Sequence, residues 1–161
     1  MITPNPLILL GPGFPNLVLK ILKFGTVLMV LLPGAEKRAN QMCGILGRIN
    51  FDSTPVMPEA LVDASKPIYE RGPDDSGVWV KNECGLAHLR LSILDLSSAG
   101  HQPMESSDGR YVGVYNGEIY NFEELRVLLG KGTSFWRGHS DTEILIEGWA
   151  IWGVDLLNRI D

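Results

Sequence analysis

The chain has 161 residues, a hydrophobic content of 45% and a formal net charge of -5. These values suit one ordinary domain with its own core, and the acidic balance argues against a nucleic-acid-binding surface. The two cysteines, Cys43 and Cys84, form neither a CxxC pair nor a disulfide framework, and no Cys/His cluster has zinc-site spacing. We therefore expect free thiols, no metal site and a reducing, cytoplasmic compartment.

The first 41 residues differ in composition from the rest, because they contain no Asp and a single Glu, Glu36. The apolar stretch 16–32 is interrupted by Lys20 and Lys23 and is shorter than the ~20 apolar residues that span a bilayer, so we expect no membrane association. Residues 1–41 are therefore read as an apolar leader. It is a targeting segment, a removable propeptide or sequence upstream of a true start at Met42, and we favour the third reading.

From residue 43 onward, apolar periodicity and turn signals predict interleaved strands and helices. Strands are predicted at 43–51, 78–80, 85–93 and 111–115, and helices at 58–70, 121–129 and 141–152. Asn121 and Glu124 have the spacing of a capping box, and Ser140 or Asp141 can cap the last helix. Residues 71–77 have the composition of a turn. This order of elements predicts an α+β layered fold.

Cys43 has two readings. A cysteine beside a glycine in an apolar strand is ordinarily buried and inert. If translation starts at Met42 and that methionine is removed, however, Cys43 carries a free α-amine. An α-amine has a pKa of about 7.7–8.0 and can accept the thiol proton near neutral pH. Nucleophile and base would then lie within one residue, as in N-terminal nucleophile enzymes.

Three further positions have both a structural and a chemical reading. Asn116-Gly117 is a common turn signal, but its side-chain amide and backbone N–H could also stabilise an oxyanion. Arg90 suits a structural ion pair or bidentate binding of a carboxylate. Asp141 suits a helix start or binding of an ammonium group. Together, Arg90 and Asp141 could hold an α-amino acid by its two charged ends.

Six motifs, in this order along the chain, carry a resemblance: MCGI at 42–45, RGPDDSG at 71–77, HLRLSILDL at 88–96, HQPM at 101–104, YNGEIYN at 115–121 and HSDTE at 139–143. They resemble the class II glutamine amidotransferase domain, in the branch of glutamine-hydrolysing asparagine synthetase. The resemblance runs from Met42 to the end of the chain. It implies a four-layer αββα N-terminal nucleophile hydrolase fold with two stacked antiparallel sheets, incomplete at its C-terminal end.

The resemblance also implies residue roles in the hydrolysis of glutamine to glutamate and ammonia. Cys43 would be the nucleophile that forms a γ-glutamyl thioester, with Asn116 and Gly117 as the oxyanion hole. Arg90 would bind the glutamine α-carboxylate and Asp141 its α-ammonium. The remaining pocket residues would be Leu91, Ser92, Ile93, Leu94 and Glu118.

The sequence departs from the family pattern at Glu70, where a His is usual, and at Leu89, where an Arg is usual. We expect the domain to continue past Asp161, followed by a synthetase domain, absent here, that binds ATP and Mg²⁺ and amidates aspartate. No cofactor is expected in this chain, and the full-length family member could be a homodimer. Alternatives are another class II amidotransferase, of amino-sugar, polysaccharide or phosphoribosyl-pyrophosphate metabolism, or a non-catalytic gene fragment.

Overall fold

The computed structural model describes residues 5–10, 43–92 and 97–161. The chain divides into two compact units, each described here by itself: unit 1 comprises residues 1–13 and 93–161, and unit 2 comprises residues 14–92. Helices and strands occur in both, with an antiparallel sheet in unit 2 and a mixed sheet in unit 1, which confirms the predicted α+β class. In chain order the elements are β1 (Asn5–Leu10), β2 (Gly44–Ile49), α1 (Pro58–Ser65), β3 (Asp75–Lys81), β4 (Cys84–Arg90), β5 (Met104–Glu105), β6 (Tyr111–Asn116), α2 (Phe122–Leu128) and α3 (Asp141–Trp152).

Unit 2 is an antiparallel sheet of order β2-β4-β3 with α1 packed against it. Its core contains Leu46, Leu61 and Ala87, and Leu61 has no exposed surface. All seven residues of β4 except the first are buried, because this central strand is covered by a neighbour on each edge and by packing on its faces. The core therefore holds the strand that carries Arg90.

Two boundaries in unit 2 differ from the predictions. The helix predicted over 58–70 ends as an α-helix at Ser65 and continues as a 3-10 helix over Lys66–Arg71, since Pro67 has no N–H for an α-helical bond. The turn predicted over 71–77 is wrong in its second half. Residues 75–77 belong to β3, where pairing with β4 supplies ladder hydrogen bonds that outweigh their turn-like composition.

Unit 1 contains a sheet of order β1-β6-β5 and the helices α2 and α3. β5 is antiparallel to β6, whereas β1 is parallel to it, with Leu9 opposite Tyr115 and Leu10 opposite Asn116. This sheet is therefore mixed, because Asn5–Leu10, part of the predicted leader, joins it. Residues 11–42, which include most of the predicted leader and Met42, lie outside the described residues.

The helix ends of unit 1 test the capping predictions. α3 has the predicted bounds, and the Ser140 hydroxyl caps it by accepting a hydrogen bond from Thr142 N–H at 3.1 Å. The capping box predicted for α2 is wrong, because Asn121 makes no side-chain cap. Its amide instead donates to Arg159 O at 2.7 Å and accepts from Asp161 N–H at 3.0 Å.

The core of unit 1 lies between β6, α2 and α3. Its buried members are Tyr115, Ile119, Leu125, Leu129, Ile144, Leu145 and Leu156, with three tryptophans, Trp136, Trp149 and Trp152, packed against them. Burial of these side chains supplies the main driving force for folding of this unit. The same packing fixes the last residues of β6 and the first turn of α3, where the predicted site residues of this unit lie.

Candidate active site

Cys43 lies one residue before β2, at the edge of unit 2. Its Sγ accepts a hydrogen bond from Leu91 N–H at 3.3 Å and donates to Leu91 O at 3.6 Å. Burial raises the pKa of the thiol above its ordinary value of 9.0, and the Leu91 backbone and the charges of Arg90 and Arg71 only partly oppose this. A thiol in these surroundings stays protonated near neutral pH unless a base removes its proton.

Residues 71–74 form a second set of contacts around Cys43. Arg71 Nε donates to Cys43 O at 3.5 Å, and the Asp74 carboxylate accepts from Ser92 N–H at 2.8 Å. Gly72 lies so close to β4 that a Cβ at this position would stand 2.2 Å from Leu89 O. From the sequence, these residues were predicted to form a turn and were one of the six motifs that carry the family resemblance. Their contacts with β4 and Ser92 hold the segment after β4 beside the thiol.

Arg90 ends β4 and is 8% exposed. Its cross-strand partner in the β3–β4 register is Asp75, and directly opposite residues share one face of a sheet. This register keeps the structural reading of an ion pair open beside the substrate-binding one. Both readings require the guanidinium at the end of the strand, close to Cys43, whose pKa its charge lowers.

In unit 1, the residues predicted to form an oxyanion hole lie at the end of β6 and in the turn that follows it. Asn116 is the last strand residue and partly buried, whereas Gly117 and Glu118 are exposed in the turn that follows. The next residue, Ile119, is buried in the core and anchors the turn. An exposed glycine that follows a partly buried asparagine leaves room for a ligand at this turn.

Asp141 begins α3 and is 6% exposed. Its carboxylate accepts hydrogen bonds from Ile119 N–H at 3.2 Å and Thr142 Oγ1 at 3.4 Å. Burial raises the pKa of this carboxyl above its ordinary value of 3.8, with hydrogen bonds from Ile119 and Thr142 opposing and the charge of Glu118 adding to the rise. The carboxylate therefore lies beside the turn after β6, and a cation that binds there would stabilise its ionised form.

Gln102 connects these two parts of unit 1 and was missed from the sequence. Its side-chain carbonyl accepts from Tyr115 N–H at 2.7 Å, and its amide donates to Thr142 Oγ1 at 3.2 Å. One buried side chain thus joins the residue before Asn116 to the residue after Asp141. The glutamine in the HQPM motif was the available signal, although its partners could not be read from the sequence.

Glu143, within the HSDTE motif, is a second missed residue. It is 1% exposed, and its carboxylate accepts from Arg137 N–H at 3.0 Å, Arg137 Nε at 2.9 Å and Gly138 N–H at 3.2 Å. A buried carboxylate with these donors fixes the loop that leads into α3. Its role is to position Ser140 and Asp141.

The predicted site residues thus form two groups. Unit 2 brings together Cys43, Arg90, Leu91 and Ser92, and unit 1 brings together Asn116, Gly117, Glu118 and Asp141. Ile93 and Leu94 lie outside the described residues. Within the described ranges, no group of three or more His, Cys, Asp or Glu side chains is placed to bind a metal ion, and no helix is long and apolar enough to cross a membrane.

Comparison with known proteins identifies a matching family model and several related proteins. A family model described as a glutamine amidotransferase domain matches residues 42–161. Asparagine synthetase [glutamine-hydrolyzing] 3 of Bacillus subtilis is 36% identical over 124 residues, which cover 74% of this chain and 20% of that protein. Asparagine synthetase [glutamine-hydrolyzing] 1 of Arabidopsis thaliana is 38% identical over 121 residues, with 74% and 20% covered. The probable asparagine synthetase [glutamine-hydrolyzing] of Schizosaccharomyces pombe is 39% identical over 122 residues, which cover 74% of this chain and 21% of that protein.

The chain spans about a fifth of the length of these relatives. The family model, in contrast, covers most of the chain, including every position at which a site residue was predicted. The chain belongs to the glutamine amidotransferase domain family.

Proposed function

We propose that this chain hydrolyses glutamine to glutamate and ammonia through Cys43. The observation that carries the proposal is the environment of the thiol. Sγ is hydrogen-bonded to the backbone of Leu91, the residue that follows Arg90 and the end of β4. Cys43 itself lies at the beginning of the range that the family model matches. Arg90 and Arg71 lie near this thiol, and their charges oppose, without overcoming, the rise in its pKa that burial causes.

The chemistry needs a base, and the α-amine of Cys43 is the group we assign. With residue 42 attached this nitrogen is an amide and cannot accept a proton. As a free amine with a pKa of about 7.7–8.0, it takes the thiol proton as Sγ attacks the glutamine carboxamide carbon. It then donates that proton to the leaving ammonia. Water, deprotonated by the same amine, hydrolyses the thioester and releases glutamate.

The developing oxyanion would be stabilised by the Asn116 amide and the Gly117 N–H. Arg90 would bind the α-carboxylate, since a guanidinium pairs with a carboxylate through two parallel hydrogen bonds. Asp141 would bind the α-ammonium, which would also offset the cost of burying its charge. Leu91, Ser92, Ile93, Leu94 and Glu118 would complete the pocket. Because Arg90 and Asp141 would bind the α-carboxylate and the α-ammonium, the site would be selective for a free amino acid.

The ammonia would serve a glutamine-hydrolysing asparagine synthetase, with an ATP- and Mg²⁺-dependent domain that amidates aspartate. Support comes from the names of the relatives, which favour this branch over the amino-sugar alternative. We further propose the four-layer αββα N-terminal nucleophile hydrolase fold for the whole domain, a homodimer for the full-length protein and a cytoplasmic location. We also propose that residues 1–41 are a leader that precedes the catalytic domain, which begins at 42, although Asn5–Leu10 pairs with β6 of unit 1.

Acid quenching during turnover tests the assignment of the nucleophile. Peptide mass mapping of protein that begins at Cys43 is expected to show a glutamyl adduct on the Cys43 peptide and none on the Cys84 peptide. Asn116→Ala should slow glutamate release by about 10²–10³, the cost of one oxyanion donor, whereas the exposed Asn158→Ala should not. An adduct on both cysteines, or equal rates in the two variants, would overturn the assignment.

A further inference from the structure

A cavity of about 530 Å³ opens in unit 1 between the C-terminal end of α2 and the loop that precedes α3. This volume falls within the range of about 300–1,000 Å³ typical of small-molecule sites. None of the residues assigned to glutamine binding is among those that line it. Whatever it binds would therefore be separate from the glutamine substrate.

Three permanent cations line this cavity, Arg126, Lys131 and Arg137, and no carboxylate is among the described residues that line it. The Lys131 ammonium lies 4.8 Å from the centroid of the Phe135 ring, and the Arg126 guanidinium lies 5.2 Å from that of Trp136. The aromatic rings hold these head groups in place without cancelling their charge.

Carboxylates outside the lining neutralise only part of this charge. The buried Glu143 carboxylate, 2.9 Å from Arg137 Nε, cancels one cation. Glu123 lies 4.0 Å from Arg126 Nε, but its side chain is 65% exposed, and exposed pairs are weak. Arg126 Nε is itself buried without a hydrogen-bond partner among the described residues, although the other two nitrogens of that guanidinium contact Gly138 O and His139. Among the described residues, an excess of positive charge therefore remains at this cavity.

We propose that this cavity binds a small organic phosphate monoester. A phosphate monoester carries about -1.5 to -2 charges near neutral pH, which matches the two positive charges of Lys131 and Arg126, of which the exposed Glu123 offsets only a small part among the described residues. Thr133 supplies a hydroxyl, and Val127 and Trp136 supply an apolar wall for the organic part. A carboxylate monoanion would satisfy only half of that excess. The proposal does not depend on the glutaminase assignment.

The test is a titration of ¹⁵N-labelled protein with ribose 5-phosphate, with uncharged ribose as the matched probe. The amides of Gly130, Gly132 and Gly138, in the loop around the cavity, are the reporters. At up to ~10 mM, where even millimolar affinity saturates a site, ribose 5-phosphate should give saturable shifts and ribose should give none. Added salt should weaken the binding.

Lys131→Gln should weaken binding of ribose 5-phosphate about tenfold, the usual effect of losing one charge-assisted contact. Lys66→Gln is the matched control, because Lys66 is an exposed lysine in unit 2, with 71% of its side chain accessible. Three results would overturn the proposal: no saturable shifts with ribose 5-phosphate, equal shifts with ribose, or equal affinity in the Lys131→Gln and Lys66→Gln proteins.

Discussion

Replacement of Gly72 by alanine tests how the loop after α1 supports β4, the strand that ends at Arg90. A Cβ at this position would lie 2.2 Å from Leu89 O, 2.3 Å from Leu89 C and 2.6 Å from Arg90 N. All three are backbone atoms of β4, which is hydrogen-bonded to β2 on one edge and β3 on the other. Because no side chain can rotate away, the loop and the strand must separate by more than an ångström.

The cost follows from this geometry. Overpacking a well-filled site ordinarily costs about 1–3 kcal/mol, and occasionally more. Since the obstacle here is backbone fixed on both sides, we expect a loss of about 3 kcal/mol in the free energy of unfolding. In a chain of this size that corresponds to a fall in Tm of roughly 6–12 °C. The φ of Gly72 is -154°, so the penalty arises from space and not from backbone strain.

Thermal unfolding followed by circular dichroism measures this loss. Gly132→Ala is the matched control, because Gly132 has a φ of -63° and a Cβ there would meet nothing within 4 Å. Its Tm should be unchanged or slightly raised. If Gly72→Ala and Gly132→Ala melt at the same temperature, the loop does not pack against β4 as described, and its role in holding Leu91 beside Cys43 is refuted.

Three more predictions concern burial and charge. Asp141→Asn should raise the unfolding midpoint near neutral pH, because a carboxyl whose pKa is raised in the folded state destabilises the fold when it is ionised. This gain in the midpoint should vanish as pH falls below 3.8, the ordinary pKa of the carboxyl. A gain that persists at lower pH would contradict the buried position of Asp141. Leu61→Ala should cost about 2–5 kcal/mol in urea unfolding and the 52% exposed Leu157→Ala far less, so equal losses would count against the described core. In a Cys84→Ser background, alkylation of Cys43 in the full chain should be half-maximal above pH 9.0, and a lower value would show that a base is already present.

The helices show which parts of the fold could be read from the sequence. α3 was predicted with its observed bounds, because an apolar run and a Ser140 cap act locally. The end of α1 was placed too late, since the α-helical ladder stops before Pro67. The cap of α2 was wrong because Asn121 bonds residues 38 and 40 positions away. Local patterns cannot reveal such long-range competition for a side chain.

The candidate site follows the same division. Cys43, Arg90 and Asp141 could be named because their chemistry and the order of the motifs point to them. The supporting residues Gln102 and Glu143 could not, because their roles depend on partners that only the folded chain brings near. Ordinary polar residues within motifs are thus the positions where the structure adds most to the sequence.

The central claim is that Cys43 is the nucleophile and that its own α-amine is the base. The most direct test compares glutamate release from protein that begins at Cys43 with release from protein shown by intact mass to begin at Met1. We predict that release from the first is at least about a hundredfold faster than release from the second or from Cys43→Ala. Equal release from the uncleaved chain, or release that survives Cys43→Ala, would contradict it.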